Sequence, residues 1–190
     1  MSTLQSIRNH IATLPAISPT KQAVRDWLAT SAPTLQYGVT LTLKQHTQRG
    51  AIDSRINQNG YKSYVKLDEY QAAAVASNYM KRLNKQLLRS AATRFNRSMF
   101  YLPILEGRGR DERLHLHFGI GEIPKWCTAI DFCKAATSAA RHTDWVDTQI
   151  DVLTADAFLT NYLTKSVARN NTDAVLWQCI PEAERFAHRS

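Results

Sequence analysis

Arg113-Leu114-His115-Leu116-His117-Phe118-Gly119-Ile120-Gly121 is the stretch that decides the fold. Successive side chains of a strand point to opposite faces, so a strand here sets His115 and His117 on one side and Leu114, Leu116 and Phe118 on the other. The apolar side can pack into a core. The other side carries two imidazoles, which suits a metal or a polar site. Two neutral imidazoles hold a divalent ion weakly and need a third donor, usually oxygen. Glu106 is the candidate, because it ends the preceding strand. If the hairpin sets it opposite Arg113, it projects on the side of His115. A one-residue change of register would turn it away. Asp111 and Glu112 are rivals with looser geometry.

Working outward, Tyr37-Gly-Val-Thr-Leu-Thr-Leu-Lys44 alternates, with Val39, Leu41 and Leu43 on one face and Thr40, Thr42 and Lys44 on the other. Downstream, Phe158-Leu-Thr-Asn-Tyr162-Leu-Thr-Lys165 lies in a helical pattern that makes Tyr162 and Lys165 neighbours on one face. A Thr-Leu-Thr strand, a His-hydrophobe-His strand and a Tyr-x-x-Lys helix, in this order over roughly 35–170, resemble the HUH endonucleases. They resemble more closely the rolling-circle replication initiators of plasmids and phages.

The resemblance implies a metal-dependent, sequence-specific single-stranded DNA endonuclease and strand transferase. Its divalent ion, Mg²⁺ or Mn²⁺, would sit on His115, His117 and Glu106. Tyr162 would be the nucleophile and form a 5′-phosphotyrosine, with Lys165 steadying the phosphate or the phenolate. Some initiators carry two tyrosines a helical turn apart; here the residue four before Tyr162 is Phe158 and the one four after is Ser166, so this is a single-tyrosine form. Thr40, Thr42 and Lys44 correspond to the first family motif, which shapes the core or touches DNA. No Gly-x-x-x-x-Gly-Lys-Ser/Thr loop occurs, so a helicase would come from the host. A small single-strand transposase or a mobilisation relaxase is the alternative within the same chemistry. Relaxases usually place the tyrosine before the histidines, and the Tyr-x-x-Lys form favours the initiator. A non-catalytic nucleic-acid-binding module on the same fold is the alternative of another class.

A net charge of +8 and a pI near 9.6 point to a polyanionic partner, single-stranded DNA or an origin hairpin. Lys81, Lys85 and Arg89 recur at helical spacing, and Arg108, Arg110 and Arg113 crowd the turn into the histidine strand. Such clusters neutralise phosphates. Tyr61 and Tyr64, beside Lys62 and Lys66, could stack bases. Composition is that of a globular protein, 44% hydrophobic and 21% charged. No apolar run reaches the length of a bilayer and no signal-peptide region opens the chain, which predicts a cytoplasmic protein with no membrane partner. Cys127, Cys133 and Cys179 lack zinc-site spacing and read as reduced thiols.

The chain divides into an accessory helical segment, 1–34, a main domain, 35–170, and a helical tail, 171–190. Strands are expected at 37–44, 99–105, the histidine stretch and 145–153. Helices are expected over 68–90, capped by Asp68, and over about 125–140, started by Pro124 and burying Trp126 and Phe132. A polar connection fills 45–60, and 61–65 could add a short strand or a loop with aromatic faces. Pro103 marks its strand as an edge or the place of a bulge. This order gives an α+β fold, a central antiparallel sheet with flanking helices. HUH domains, related to the ferredoxin-like RNA-recognition architecture, have such a fold.

Overall fold

β1 (Leu35–Leu43) is the central strand of the protein, hydrogen-bonded on both sides in a computed structural model that describes Asp26, Thr30 and residues 34–48, 64–107, 113–158 and 174–180. On one side it pairs antiparallel with β5 (His115–Gly121), and on the other with β6 (Val146–Thr154). β4 (Tyr101–Glu106) adds to the far side of β5, giving a four-stranded antiparallel sheet of order β4-β5-β1-β6. The fold is therefore α+β, as the pattern of elements predicts. A separate ribbon pairs β2 (His46–Gln48) with β3 (Tyr64–Lys66), so the polar connection after β1 begins with a strand.

One face of the sheet is the core. Val39, Leu41 and Leu43 of β1 and Leu116, Phe118 and Ile120 of β5 are buried there beneath two helices. The first, α1 (Glu69–Leu88), buries Ala72, Val75, Ala76, Tyr79, Leu83 and Leu87, the 3–4 spacing of one helical stripe. Asp68 caps it reciprocally with Gln71: the Gln71 N–H donates to Asp68 Oδ1 at 2.7 Å, and the Asp68 N–H donates to Gln71 Oε1 at 3.1 Å. A five-residue helix, α2 (Ser90–Arg94), follows at once. The second long helix, α3 (Ala129–Arg141), lays Phe132, Ala136 and Ala139 on the sheet. Phe132 stacks on Tyr37 of β1 with centroids 4.2 Å apart.

α3 starts later than Pro124 suggests. Thr128 and Asp131 form its capping box, and residues 125 and 126 make a turn. Trp126 is therefore 53% exposed rather than in the core. Arg89 also differs from expectation. α1 ends at Leu88, and Arg89 has φ 51°, so it leaves the helical face shared by Lys81 and Lys85. Its guanidinium lies 5.3 Å from the Trp126 ring centroid, a cation–π contact.

β4 is an edge strand, as Pro103 requires, and the chain returns to cover it. Val175 bridges Ile104, and the Leu176 N–H donates to the Pro103 carbonyl at 3.0 Å. A 3-10 turn, Trp177–Cys179, follows, and the Tyr101 hydroxyl donates to the Cys179 carbonyl. Residues 174–180, assigned to a tail by sequence, thus pack into the main core through Leu176 and Cys179. After β6 comes a short helix, α4 (Ala155–Phe158), which contacts β1 and β5. Among the described residues no helix is long and apolar enough to cross a membrane.

Buried Asn84 of α1 fixes where β4 begins. Its Oδ1 accepts the Met99 N–H at 3.0 Å, and its Nδ2 donates to Ser98 Oγ at 2.9 Å. Asn84→Leu keeps the volume but leaves the Met99 N–H without its acceptor. It should cost about 1–3 kcal/mol, measured by urea denaturation; an unchanged midpoint would mean that β4 needs no such anchor.

Candidate functional site

The sheet face opposite the helices carries the polar side chains. On β5, His115 is half-buried and His117 is 4% exposed. Their ring centroids are 6.3 Å apart. On β1, Thr40 lies directly opposite His117 and Thr42 opposite His115. Thr40 Oγ1 is 3.0 Å from His117 Nδ1, and Thr42 Oγ1 is 3.4 Å from His115 Nδ1. Both threonines are buried, so they stand behind the imidazoles rather than on an exposed surface.

A hydroxyl both donates and accepts, so Thr40 can serve either tautomer of His117. When Nδ1 is protonated it donates to Thr40, and the Nε2 lone pair is left for a metal. When Nε2 is protonated, Thr40 donates to Nδ1 and the Nε2–H faces Glu106. The first arrangement, Nδ1–H donating to Thr40, is of the kind that orients a metal-binding histidine.

Glu106 comes from β4. The sequence sets it opposite Arg113, whereas it pairs with His115. The two-residue difference preserves the face, and Glu106 Oε2 lies 3.4 Å from His117 Nε2. Gly107, at φ 89°, turns the chain immediately after it, and a Cβ there would collide with the Arg113 carbonyl. At the other side of the hairpin, Gln45 pins the entry to β5: its Oε1 accepts the Leu114 N–H at 3.0 Å and its Nε2 donates to the Leu43 carbonyl at 2.6 Å.

These donors suit a hard or borderline divalent ion. Two ligand atoms each about 2.1 Å from one ion stand about 3.0–3.4 Å apart at octahedral to tetrahedral angles. The Glu106–His117 spacing falls in that range. Among the described residues no three of His, Cys, Asp and Glu are gathered closely enough to enclose an ion.

Asp151 is a neighbour that sequence reasoning missed. It faces Thr40 across β6 and so shares the histidine face, and it is exposed. Its parity becomes readable only once the β1–β6 register is known.

The basic residues fall in several places. Lys44 is exposed just beyond β1, and Arg113 is exposed with its guanidinium 3.8 Å from Asp147. Lys81 and Lys85 are exposed on α1, in the helical layer on the other side of the sheet from the histidines. Arg108, Arg110, Tyr162, Lys165 and Tyr61, together with the rival ligands Asp111 and Glu112, lie outside the described residues, and so does the side chain of Tyr64. No protein-family model matches the chain, and no curated protein or solved structure is significantly similar to it.

Thr40→Val preserves shape and removes the Nδ1 partner of His117. For a site that takes Mn²⁺, the affinity read by calorimetric titration should fall about 10–100-fold, while the circular dichroism spectrum stays that of the wild type. Equal affinity would mean that Thr40 is only a buried hydroxyl.

Proposed function

We propose that this protein is a metal-dependent single-stranded DNA nickase and strand transferase of the HUH type, working as a rolling-circle replication initiator. One observation carries the reading: Glu106 and His117 sit at ligand spacing on a sheet face where Thr40 and Thr42 hold the Nδ1 atoms of both histidines. A strand that only needs a core does not require imidazoles oriented in this way.

The α+β sheet is also of the kind that the HUH and RNA-recognition architectures use.

In this mechanism Glu106 and His117, which stand at ligand spacing, would hold a divalent ion, with His115 completing the set once its ring turns toward them; the chemistry the ion supplies is to polarise the scissile phosphate and stabilise its developing charge. Tyr162 attacks phosphorus in line. Its Oη–P bond forms as the bond from phosphorus to the 3′ oxygen breaks, the phenol loses its proton, and the leaving oxygen becomes a 3′-hydroxyl. Lys165 steadies the phosphate. The phosphotyrosine keeps the energy of the phosphodiester, so a 3′-hydroxyl can later reverse the step and seal the strand. A single phenol holds one 5′ end at a time. A helicase would be a separate partner.

Incubation with a cognate origin single strand and Mn²⁺ should give one covalent protein–DNA adduct per chain, seen on a denaturing gel and mapped to Tyr162. Tyr162→Phe should abolish adduct and nick with DNA affinity nearly intact, and His117→Ala should lose cleavage while still binding. Undiminished cleavage in chelator would remove the metal from the reading. Nicking by the Phe variant at a comparable rate would make the protein a hydrolytic nuclease. Binding without any nick would leave a nucleic-acid-binding module with a Glu106–His117 ion pair.

A further inference from the structure

On the helical side of the sheet, a cavity of about 530 Å³ opens between α1, α2 and the segment that leads into β4. That volume is in the range of small-ligand sites. Its floor is preorganised: Asn84 is held by Ser98 and the Met99 N–H, and the Ser98 hydroxyl donates to the Met99 carbonyl at 3.0 Å. Asn96, at φ 49°, makes the turn that brings Arg97 and Ser98 back beside α1, and the Arg97 N–H donates to the Ala91 carbonyl at 3.2 Å. Lys81 and Arg97 line this cavity, and neither has an ion-pair partner among the described residues.

Two cations without ion-pair partners among the described residues, on one concavity, attract an anion, and the size suits a group larger than phosphate alone. We propose that this cavity is a second, metal-independent binding site that takes one nucleotide unit. Lys81 and Arg97 meet its phosphate, and the amide and hydroxyl groups of Asn84, Asn96 and Ser98 line the space for the base or sugar. The unit is either an internal nucleotide of a DNA strand or a free nucleotide. The site lies across the sheet from His115 and His117, so it stands whether or not the protein nicks DNA.

The test is equilibrium binding of fluorescent dT10 in chelator and low salt, with free dTMP as competitor. Lys81→Ala with Arg97→Ala should weaken dT10 about tenfold or more and reduce the slope of log affinity against log salt by about 0.7 for one lost phosphate contact. Ala92 also lines the cavity, on α2. Ala92→Trp fills the space without altering charge and should weaken dT10 to a similar degree, with an unchanged melting temperature. Competition by dTMP that is lost in Ala92→Trp identifies a site open to free nucleotides. No competition, together with weaker dT10 binding by Ala92→Trp, identifies a site for an internal nucleotide. Wild-type affinity for dT10 in Ala92→Trp would overturn the proposal and leave Lys81 and Arg97 as diffuse surface charge. The absence of saturable dT10 binding by the wild type would overturn it as well. Should Ala92→Trp melt early, Ala92→Met, a smaller plug that also leaves the charge unchanged, decides the matter instead: weakened dT10 binding supports the site, and wild-type affinity overturns it.

Discussion

Moving β5 by one residue against β1 would send His115 and His117 under the helices and push Leu116 and Phe118 into solvent. Both apolar side chains are fully buried, and each such burial is worth about 1.5–3 kcal/mol. The same slip would take two imidazoles away from Thr40 and Thr42 and bury them without partners. The penalty falls on both faces at once. This alternation of β5 between β1 and β4 is the constraint on which the site rests, because the packing of one face dictates the arrangement of the other. Glu106 inherits its position from it, since β4 is registered on β5 alone within the sheet.

The two faces of the sheet separate two kinds of chemistry. Imidazoles, hydroxyls and carboxylates gather on one, including Asp151 from β6. Lys81, Lys85 and Arg97 belong to the helical layer on the other. A polyanion that touched both would have to pass around an edge of the sheet. The β4 edge is the shorter route to the basic cavity, because Ser98 and Tyr101 connect the cavity wall directly to that strand.

Short-range patterns are legible in the sequence. The alternation in β1 and β5 and the Asp68 cap come from neighbours along the chain, and each lies where the sequence puts it. The face of Glu106 is legible too, although its partner is not, because a turn can shift pairing by two residues without changing parity. Trp126 reads as core because Pro124 imitates a first helical turn, while the signal that starts the helix is Thr128 with Asp131 three residues on. Arg89 reads as part of a basic stripe because i, i+4, i+8 spacing presumes that the helix continues. β2 is hidden because His46, Thr47 and Gln48 carry no apolar pattern, and its pairing with β3 comes from far along the chain. The bridge from Val175 to Ile104 is likewise non-local. Polar β2 and the segment that closes the β4 edge become visible only in three dimensions.

The covering of β4 also has a consequence for biosynthesis. Ile104 waits for Val175, and Pro103 for Leu176, so among the described residues the outer edge of β4 is met by residues that leave the ribosome some seventy positions later. β1 waits longer still, since its partners β5 and β6 lie far downstream. Until synthesis passes residue 180 the nascent protein holds a sheet with an open edge. Pairings of this range are slow to form and expose strand edges while they do. An emerging chain of this design presents an unpaired strand edge until the segment that covers β4 arrives.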